Sequence, residues 1–273
     1  MTLISALLNA FKKMTSIIVR NRRLLASITR VELAKRHAGS VLGMAWVVLQ
    51  PGLLLSVYLF VYMVVFPVRL QNFGQFDFVL YVFCGLVPYL GFMEALTTGG
   101  VSIKQNIHLV KNVMLPIELI PIRAVLVGMA SQFVSIGLVL ILAAMGGVLS
   151  ANIIWLPLIV LLQIMWLAGL TWILASLTVA LPDITYFVNL FIFLLMFVSP
   201  IGWRPDTLTV RGLGWVIAVN PVFYMTAMYR GSILHANTPS LTVMAIYVVM
   251  CVATFAVGAA FFERFKGALT DYE

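Results

Sequence analysis

The sequence predicts an all-α polytopic membrane protein with six transmembrane helices. Of its 273 residues, 63% are hydrophobic and 10% are charged, and the mean hydropathy of +1.09 is far above that of a soluble domain. Several charge-free stretches are long enough to cross a hydrocarbon core of about 30 Å. The 17 Lys and Arg residues flank these stretches, so the net charge of +8 indicates membrane-flanking segments and not a nucleic-acid-binding patch.

Residues 1–40 are predicted to form an amphipathic helix at the cytosolic face of the membrane. Apolar side chains recur there at three- and four-residue spacing, opposite a basic face. The apolar face comprises Leu3, Leu7, Phe11, Met14 and Ile18, and the basic face comprises Lys12, Lys13, Arg20, Arg22 and Arg23. Eight of the 17 Lys and Arg residues precede residue 37. They can meet anionic head groups, which suits a positive-inside anchor.

The first predicted span, residues 41–66, contains no charged residue. As a helix it would be about 39 Å long, enough to cross the hydrocarbon core with some tilt. Gly39 and Gly43 lie at its start, where small residues permit close backbone approach. Pro51 falls about three turns in and is expected to kink the helix. We therefore expect the chain to turn sharply as it enters the membrane.

Five more apolar stretches complete the predicted spans. They are residues 78–98, 124–149, 155–181, 184–200 and 241–262. The fifth span, 184–200, is the shortest, at about 24 Å as a helix. Residues 201–235 are also apolar, but Gly and Pro interrupt them. They are therefore predicted to form short re-entrant helices on the outer side before the last span.

The distribution of Lys and Arg predicts the orientation. With the amino terminus inside, the cytosolic segments hold 13 of these residues and the outer segments hold four, namely Arg69, Arg204, Arg211 and Arg230. This bias satisfies the positive-inside rule. Both termini are therefore expected in the cytosol. Arg230 and His235 are expected to be solvated residues of outer loops, and a phosphate-binding pair is the alternative.

Three blocks of residues occur in order along nearly the whole chain. They are Glu32 to Gly43 with Trp46, Gln50 and Pro51; Gly85 to Tyr89 with Asn106, Leu109, Lys111, Pro116 and Pro121; and Ser199, Pro200, Asn220, Pro221, Tyr229 and Arg230. Together they resemble the membrane-spanning permease subunit of type-2 ABC exporters. The resemblance is to the branch that exports O-antigen, capsular polysaccharide or teichoic acid, a polyol phosphate.

The resemblance implies a permease that forms a homodimer and works with two copies of a separate nucleotide-binding ATPase. The expected cargo is a polysaccharide attached to polyprenyl pyrophosphate, exported across the bacterial inner membrane. The sequence contains no Gly-x-x-x-x-Gly-Lys-Ser/Thr loop, so the ATP is expected to be bound and hydrolysed by the partner chain. We expect a transport subunit with no cofactor, no enzyme activity and no nucleic-acid partner.

The cytosolic segment 104–123 is the predicted coupling element between permease and ATPase. Two prolines five residues apart favour a short helix held rigid at its end, and an ordinary basic loop is the alternative. A rigid helix with Lys104, Lys111 and Glu118 exposed could dock in a cleft of the ATPase and transmit its closure. The candidate residues are Lys104, Asn106, Lys111, Pro116, Glu118 and Pro121.

Arg30, Lys35 and Arg36 lie shortly before the first span. They are placed to meet either the ATPase or the pyrophosphate head of a lipid-linked substrate, and their charge alone does not choose between the two. The resemblance also implies that the amino-terminal helix contacts the ATPase.

Aromatic side chains form stripes on two predicted spans. In each span, three of them share one helical face. They are Tyr58, Tyr62 and Phe66 in the first span and Tyr186, Phe193 and Phe197 in the fifth. Aromatic faces stack on the C–H faces of sugars and let a glycan slide, whereas interfacial or lipid-facing aromatics are the alternative. We predict that the stripes line the path of an extended polysaccharide.

Three other functions fit the sequence less well. An exporter of a drug or a lipid would keep the fold and change only the cargo. An ion-coupled carrier needs buried ionisable residues near the bilayer midplane, yet the one acid inside a predicted span, Glu94, lies near the cytosolic boundary, where it suits an interfacial or capping group. An integral-membrane enzyme lacks support because His37, His108 and His235 have no metal-ligand spacing.

Overall fold

A computed structural model describes residues 3–36, 39–65, 74–106, 115–205, 212–235 and 238–271. Within these ranges the chain forms eleven α-helices, which confirms the predicted all-α class. They are α1 (Leu3–Arg20), α2 (Arg22–Arg36), α3 (Trp46–Phe60), α4 (Gln75–Gly100), α5 (Ser102–Gln105), α6 (Leu119–Met145), α7 (Leu156–Ala180), α8 (Ile184–Val198), α9 (Gly214–Val219), α10 (Pro221–Ile233) and α11 (Leu241–Asp271). A π-helical turn, Val61–Val65, continues α3, and 3₁₀ turns precede α3 and α7.

Five helical stretches of the described chain are long and apolar enough to cross a membrane. They are Trp46–Val65, Gln75–Gly100, Leu119–Met145, Ala151–Ala180 and Leu241–Gly267, and each overlaps one predicted span. The other predicted span, 184–200, corresponds to α8, which is apolar but only 15 residues long. A helix of that length extends about 22 Å, less than a hydrocarbon core of roughly 30 Å. The polytopic fold is confirmed, whereas the count of six spans stays a prediction.

Two local features explain why α6 begins and ends earlier than its predicted span, 124–149. Pro121 lies in the first turn of the helix, where its missing N–H is not needed. At the other end Gly147 has a φ of +67°, and the Val148 N–H donates to the Ala143 carbonyl at 3.1 Å. This is the hydrogen bond of a glycine C-terminal cap. The apolar residues beyond this cap lengthen the span predicted from hydropathy, but they are not part of the helix.

The larger of two hydrophobic cores surrounds α4, which packs against α6, α7, α8 and α10. Most α4 side chains are buried, and Phe92 stacks on Trp166 of α7 with ring centroids 4.9 Å apart. At Gly128 of α6 the helices meet closely, because a Cβ there would lie 2.8 Å from the Ala95 backbone nitrogen. This core makes α4 the central helix.

A second core lies at one end of the molecule, where α1, α2 and α5 meet the start of α6 and the ends of α7 and α11. Phe11 of α1 packs edge to face on Phe255, with centroids 5.0 Å apart. Lys13 pairs with Glu263 of α11, and the hydrogen bond to that carboxylate raises the pKa of Lys13 above its ordinary value. The apolar face of α1 is therefore packed on protein.

Two helices replace the single amino-terminal helix that the sequence predicts. The helices α1 and α2 are separated at Asn21, whose Nδ2 donates to the Ile17 carbonyl at 2.8 Å. An asparagine side chain that bonds to nearby backbone competes with the continuing helix. The basic side chains Lys12, Lys13, Arg20, Arg22 and Arg23 are exposed, on the face that the spacing predicts.

Candidate translocation path, coupling surface and outer gate

The helix α8 presents an exposed aromatic face. The exposed fractions of Tyr186, Phe193 and Phe197 are 76%, 53% and 61%, and the rings of Phe193 and Phe197 meet edge to face with centroids 5.3 Å apart. The opposite side of α8 is held by the Tyr89 hydroxyl of α4, which donates to the Ile192 carbonyl. The three predicted path residues of the fifth span therefore share one outward surface.

In the aromatic stripe of the first span, Tyr58 is the one side chain that the structure describes. This side chain is half-buried and packs against the larger core. The side chain of Tyr62 and the whole of Phe66 lie outside the described part of the chain. Helix α3 packs mainly against α6, whereas α8 packs against α4 and α7. The two predicted stripes thus lie on helices with different main neighbours.

The coupling segment begins at α5, which is fixed to the second core. Ile103 is fully buried there, and the Asn106 side chain donates from Nδ2 to the Ser102 carbonyl at 2.7 Å, which closes the short helix. Lys104 points away and is exposed. Lys111 lies outside the described residues.

The far end of the segment is also fixed. The Pro116 carbonyl accepts from the Leu119 N–H at 2.9 Å and so begins α6, and Ile117 is buried in the second core. Pro121 is buried inside the first turn of α6, so it starts a span. The sequence instead predicts that this proline rigidifies the end of the coupling segment. The segment between Asn106 and Pro116 is therefore anchored on both sides.

Glu118 corrects one expectation, because it is buried and not exposed. Its exposed fraction is 2%, and its Oε1 accepts from the Lys266 ammonium of α11. The Trp172 indole donates to the Glu118 carbonyl at 3.1 Å. Burial of a carboxylate requires such a cation, and the sequence gives no sign that Lys266, 148 residues away, supplies it. Glu118 ties the coupling segment to α11 and is not available to a partner.

The basic end of α2 faces the carboxyl-terminal part of α4 and the amino-terminal part of α6. The Arg36 guanidinium pairs with Glu94 of α4, so Glu94 is an ion-paired group in the last two turns of that helix. Arg30 and Lys35 are exposed. Of the three predicted contact residues, Arg36 therefore has an intramolecular partner in the structure.

Arg230 is wrongly predicted as a solvated outer residue, because its exposed fraction is 3%. Its Nη1 and Nη2 donate to the carbonyls of Pro200 and Ile201 at 2.7 and 2.8 Å, and its Nε donates to the Tyr81 carbonyl at 3.1 Å. The guanidinium also lies 3.6 Å from the Tyr81 ring centroid. Gly85 makes room for it, since a Cβ there would lie 2.6 Å from Nη2. One buried arginine therefore holds the turn that follows α8.

Asn220 fixes the same outer region from the other side. Its Nδ2 donates to the Ser199 hydroxyl at 3.0 Å, and its Oδ1 accepts from the Val222 N–H at 3.0 Å. The second bond caps α10, with Pro221 at the first helical position. The third block of the resemblance thus forms one connected structure, while His235 remains exposed.

A buried polar network that the sequence analysis did not single out joins four helices. Gln132 Nε2 donates to Gln163 Oε1 at 2.8 Å and to the Tyr229 hydroxyl at 2.9 Å, and Gln163 Nε2 donates to the Pro88 carbonyl at 3.1 Å. These groups connect α6, α7, α10 and α4. A glutamine inside an apolar span is the sequence feature that could have indicated it.

Comparison with known proteins places most of this chain in one family. Residues 23–234 match the family described as ABC-2 type transporter. The O-antigen export system permease protein RfbA of Myxococcus xanthus is 29% identical over 248 residues, which cover 89% of this chain and 93% of that protein. Two proteins of the same name from Klebsiella pneumoniae are 26% and 25% identical, and each alignment covers 89% of this chain and 92% of the relative.

Proposed function

Because the chain belongs to the ABC-2 type transporter family, we propose that it is the permease subunit of an ATP-driven exporter of lipid-linked polysaccharide, of the O-antigen or capsule kind. The observation behind this proposal is that relatives named O-antigen export permeases align with 89% of this chain and with at least 92% of their own length. The predicted family is thereby confirmed. The specific cargo is a proposal for this chain.

The exposed aromatic face of α8 supports a glycan path. Phe193 and Phe197 form an edge-to-face pair on that surface, and ring faces of this kind stack on sugars without fixing a chain at one position. Tyr58, Tyr62 and Phe66 of the first span would form the second wall. A homodimer with the path between subunits would place both walls around one polymer-wide channel, which the spans of a single chain rarely enclose.

The coupling segment is fixed to the second core at both ends, and this supports a role as the contact for a separate ATPase. Ile103 and Ile117 fix its two ends in the second core, so a partner that pushes on the residues between them moves that core as a body. Two ATPase copies, one per permease subunit, would bind the ATP. Lys104 and Lys111 are the proposed contacts, and Glu118 is excluded because it is buried.

The orientation follows from the same arrangement. The coupling segment, the exposed basic face of α1 and the basic end of α2 lie at one end of the molecule, which we assign to the cytosolic side of a bacterial inner membrane, with both termini inside. Arg230 and Asn220 then lie at the outer end. There they would hold the short helices α9 and α10 as the outer gate.

Affinity purification of the tagged chain in mild detergent tests this function. We expect a nucleotide-binding ATPase at a ratio of one to one, and we expect deletion of this chain to leave lipid-linked glycan on the cytosolic side. An exporter of a drug or a lipid would also retain the ATPase, but its deletion would leave glycan export unchanged. Recovery of the chain without an ATPase under several gentle conditions would contradict the proposal altogether.

A further inference from the structure

Two adjoining cavities lie between α2 and the cytosolic halves of the spans, and Arg36 lines both. The first has a volume of about 560 Å³ and opens between α3, α4 and α6. The second has a volume of about 300 Å³ and lies between α2, α5 and the start of α6. The Arg36–Glu94 ion pair stands where they meet. Arg36 is the lining residue that the two cavities share, so they adjoin at this ion pair and have two different linings.

The second cavity contains a buried cation with an unused donor. The Arg123 side chain is 8% exposed, and its Nη1 reaches Glu32 at 3.5 Å. Its Nε, however, is one of two buried side-chain polar atoms in the described residues that have no hydrogen-bond partner. Buried guanidinium donors are nearly always satisfied, and the described residues supply no acceptor for this one. A phosphate oxygen is a good acceptor for such a fork of donors.

The charge in the cavities matches a head group with one negative charge. Among the described residues, the charged side chains that line them are three cations, Lys35, Arg36 and Arg123, and two carboxylates, Glu32 and Glu94. The local excess is therefore one positive charge. A phosphodiester carries one negative charge, whereas the pyrophosphate of a polyprenyl-linked sugar carries more than one. The site is complementary to the phosphodiester.

The first cavity suits a hydrocarbon chain. Its apolar lining includes Leu54 and Val57 of α3 and Val87, Leu90 and Met93 of α4, and the polar side chains Ser131, Gln132 and Ser135 of α6 also line it. From Glu94 to Val87 the wall formed by α4 is about 10 Å deep. That depth fits the first part of a fatty acyl chain, whose burial is favourable in proportion to its area.

We propose that the two cavities bind one anionic phospholipid of the cytosolic leaflet. Its phosphodiester lies against Arg123 and Lys35, and one acyl chain lies in the groove between α3 and α4. A lipid bound in this way fastens α2 to three spans, because it touches all four helices at once. This site does not depend on the proposed export function, since a resident lipid is neither cargo nor fuel.

Native mass spectrometry of the full-length chain, together with any subunit that co-purifies, tests the site. The protein is equilibrated with mixed micelles of phosphatidylglycerol, phosphatidylcholine or undecaprenyl pyrophosphate, and the lipid retained per chain is counted. We expect about tenfold more phosphatidylglycerol than phosphatidylcholine, because only the former brings a net negative charge to the excess cation. Lys35→Gln and Arg123→Gln should each remove most of this preference. Arg264→Gln, at an exposed arginine outside both cavities, should leave it unchanged.

The groove has its own pair of variants. Val57→Trp fills the first cavity and should lower retention of phosphatidylglycerol, whereas Val64→Trp, farther along the same span and outside the cavity, should not. Lys35→Gln guards against misfolding of the Arg123 variant, because Lys35 is exposed. Equal retention by Lys35→Gln and the parent, or equal retention of phosphatidylglycerol and phosphatidylcholine, would overturn the proposal. A tenfold preference for undecaprenyl pyrophosphate would also overturn it, by showing that the cavities serve the cargo carrier.

Discussion

Replacement of Gly85 by alanine should weaken the hold of Arg230 on the outer turn. The added Cβ would lie 2.6 Å from Arg230 Nη2, so the guanidinium must move by about 0.8 Å to reach an ordinary contact distance. The bond from Nη2 to the Ile201 carbonyl, now 2.8 Å, would then lie near the limit of a hydrogen bond. Loss of one charge-assisted bond costs about 1.5–3 kcal/mol, and the better helix propensity of alanine offsets about 0.5–1 kcal/mol. We expect a net loss of about 1–2 kcal/mol in unfolding free energy.

A double-mutant cycle separates this mechanism from general overpacking of α4. Arg230→Lys removes Nη2 and should cost about 3 kcal/mol, because a buried cation loses part of its fixed set of carbonyl partners. If Gly85→Ala acts through Nη2, the double variant should be no less stable than Arg230→Lys alone. Gly137→Ala is the control, since a Cβ there meets nothing within 4 Å. Denaturant unfolding in detergent measures all four. Additive losses in the double variant would refute the reasoning.

Three further predictions follow from the packing. Lys266→Met should lower the unfolding free energy by about 3 kcal/mol, because it leaves the buried Glu118 carboxylate without its cation. Adding Glu118→Gln should restore most of that loss, and a thermal melt of both variants checks this. Gly258→Ala should lower the unfolding free energy by about 1–3 kcal/mol, because its Cβ would lie 2.2 Å from the Gly169 carbonyl oxygen of α7. An unchanged unfolding free energy would show that α7 and α11 can separate freely. Phe193→Ala, at an exposed site, should change stability by less than about 1 kcal/mol yet reduce glycan export, whereas Leu161→Ala, equally exposed on α7, should leave export unchanged.

The fold class could be predicted because it depends on composition and on long apolar runs. The exact ends could not, since Pro121 and Gly147 place the ends of α6 where hydropathy has no minimum. The exposure of individual charged residues is what the sequence predicted least well. The sequence marks Glu118 and Arg230 as polar and hence exposed, but each is buried against partners that are distant in the chain.

The residues that the resemblance brings forward show the same limit. Gly85 and Arg230 belong to different blocks, and nothing local to either indicates that one fits under the other. The turn at Pro200 explains why both residues are needed. Its backbone carbonyls have no helical partner and accept from the planar guanidinium of Arg230, and Gly85 leaves room for that group. Sequence order grouped the residues of the proposed outer gate, and only the tertiary structure showed that the Arg230 guanidinium connects Tyr81 with the turn at Pro200.

Packing also determines which helices are able to move relative to one another. The carbonyl oxygen of Gly169 in α7 would lie 2.2 Å from a Cβ on Gly258 of α11, so these two helices touch backbone to backbone. The second core joins that pair to both ends of the coupling segment through Trp172 and Phe262. By contrast, α3 and the outer face of α8 are largely exposed. If closure of the ATPase pushes on the coupling segment as proposed, the force would be delivered to α7 and α11 as a unit, and the displacement would be taken up where contacts are fewest, at the two helices that carry the aromatic stripes.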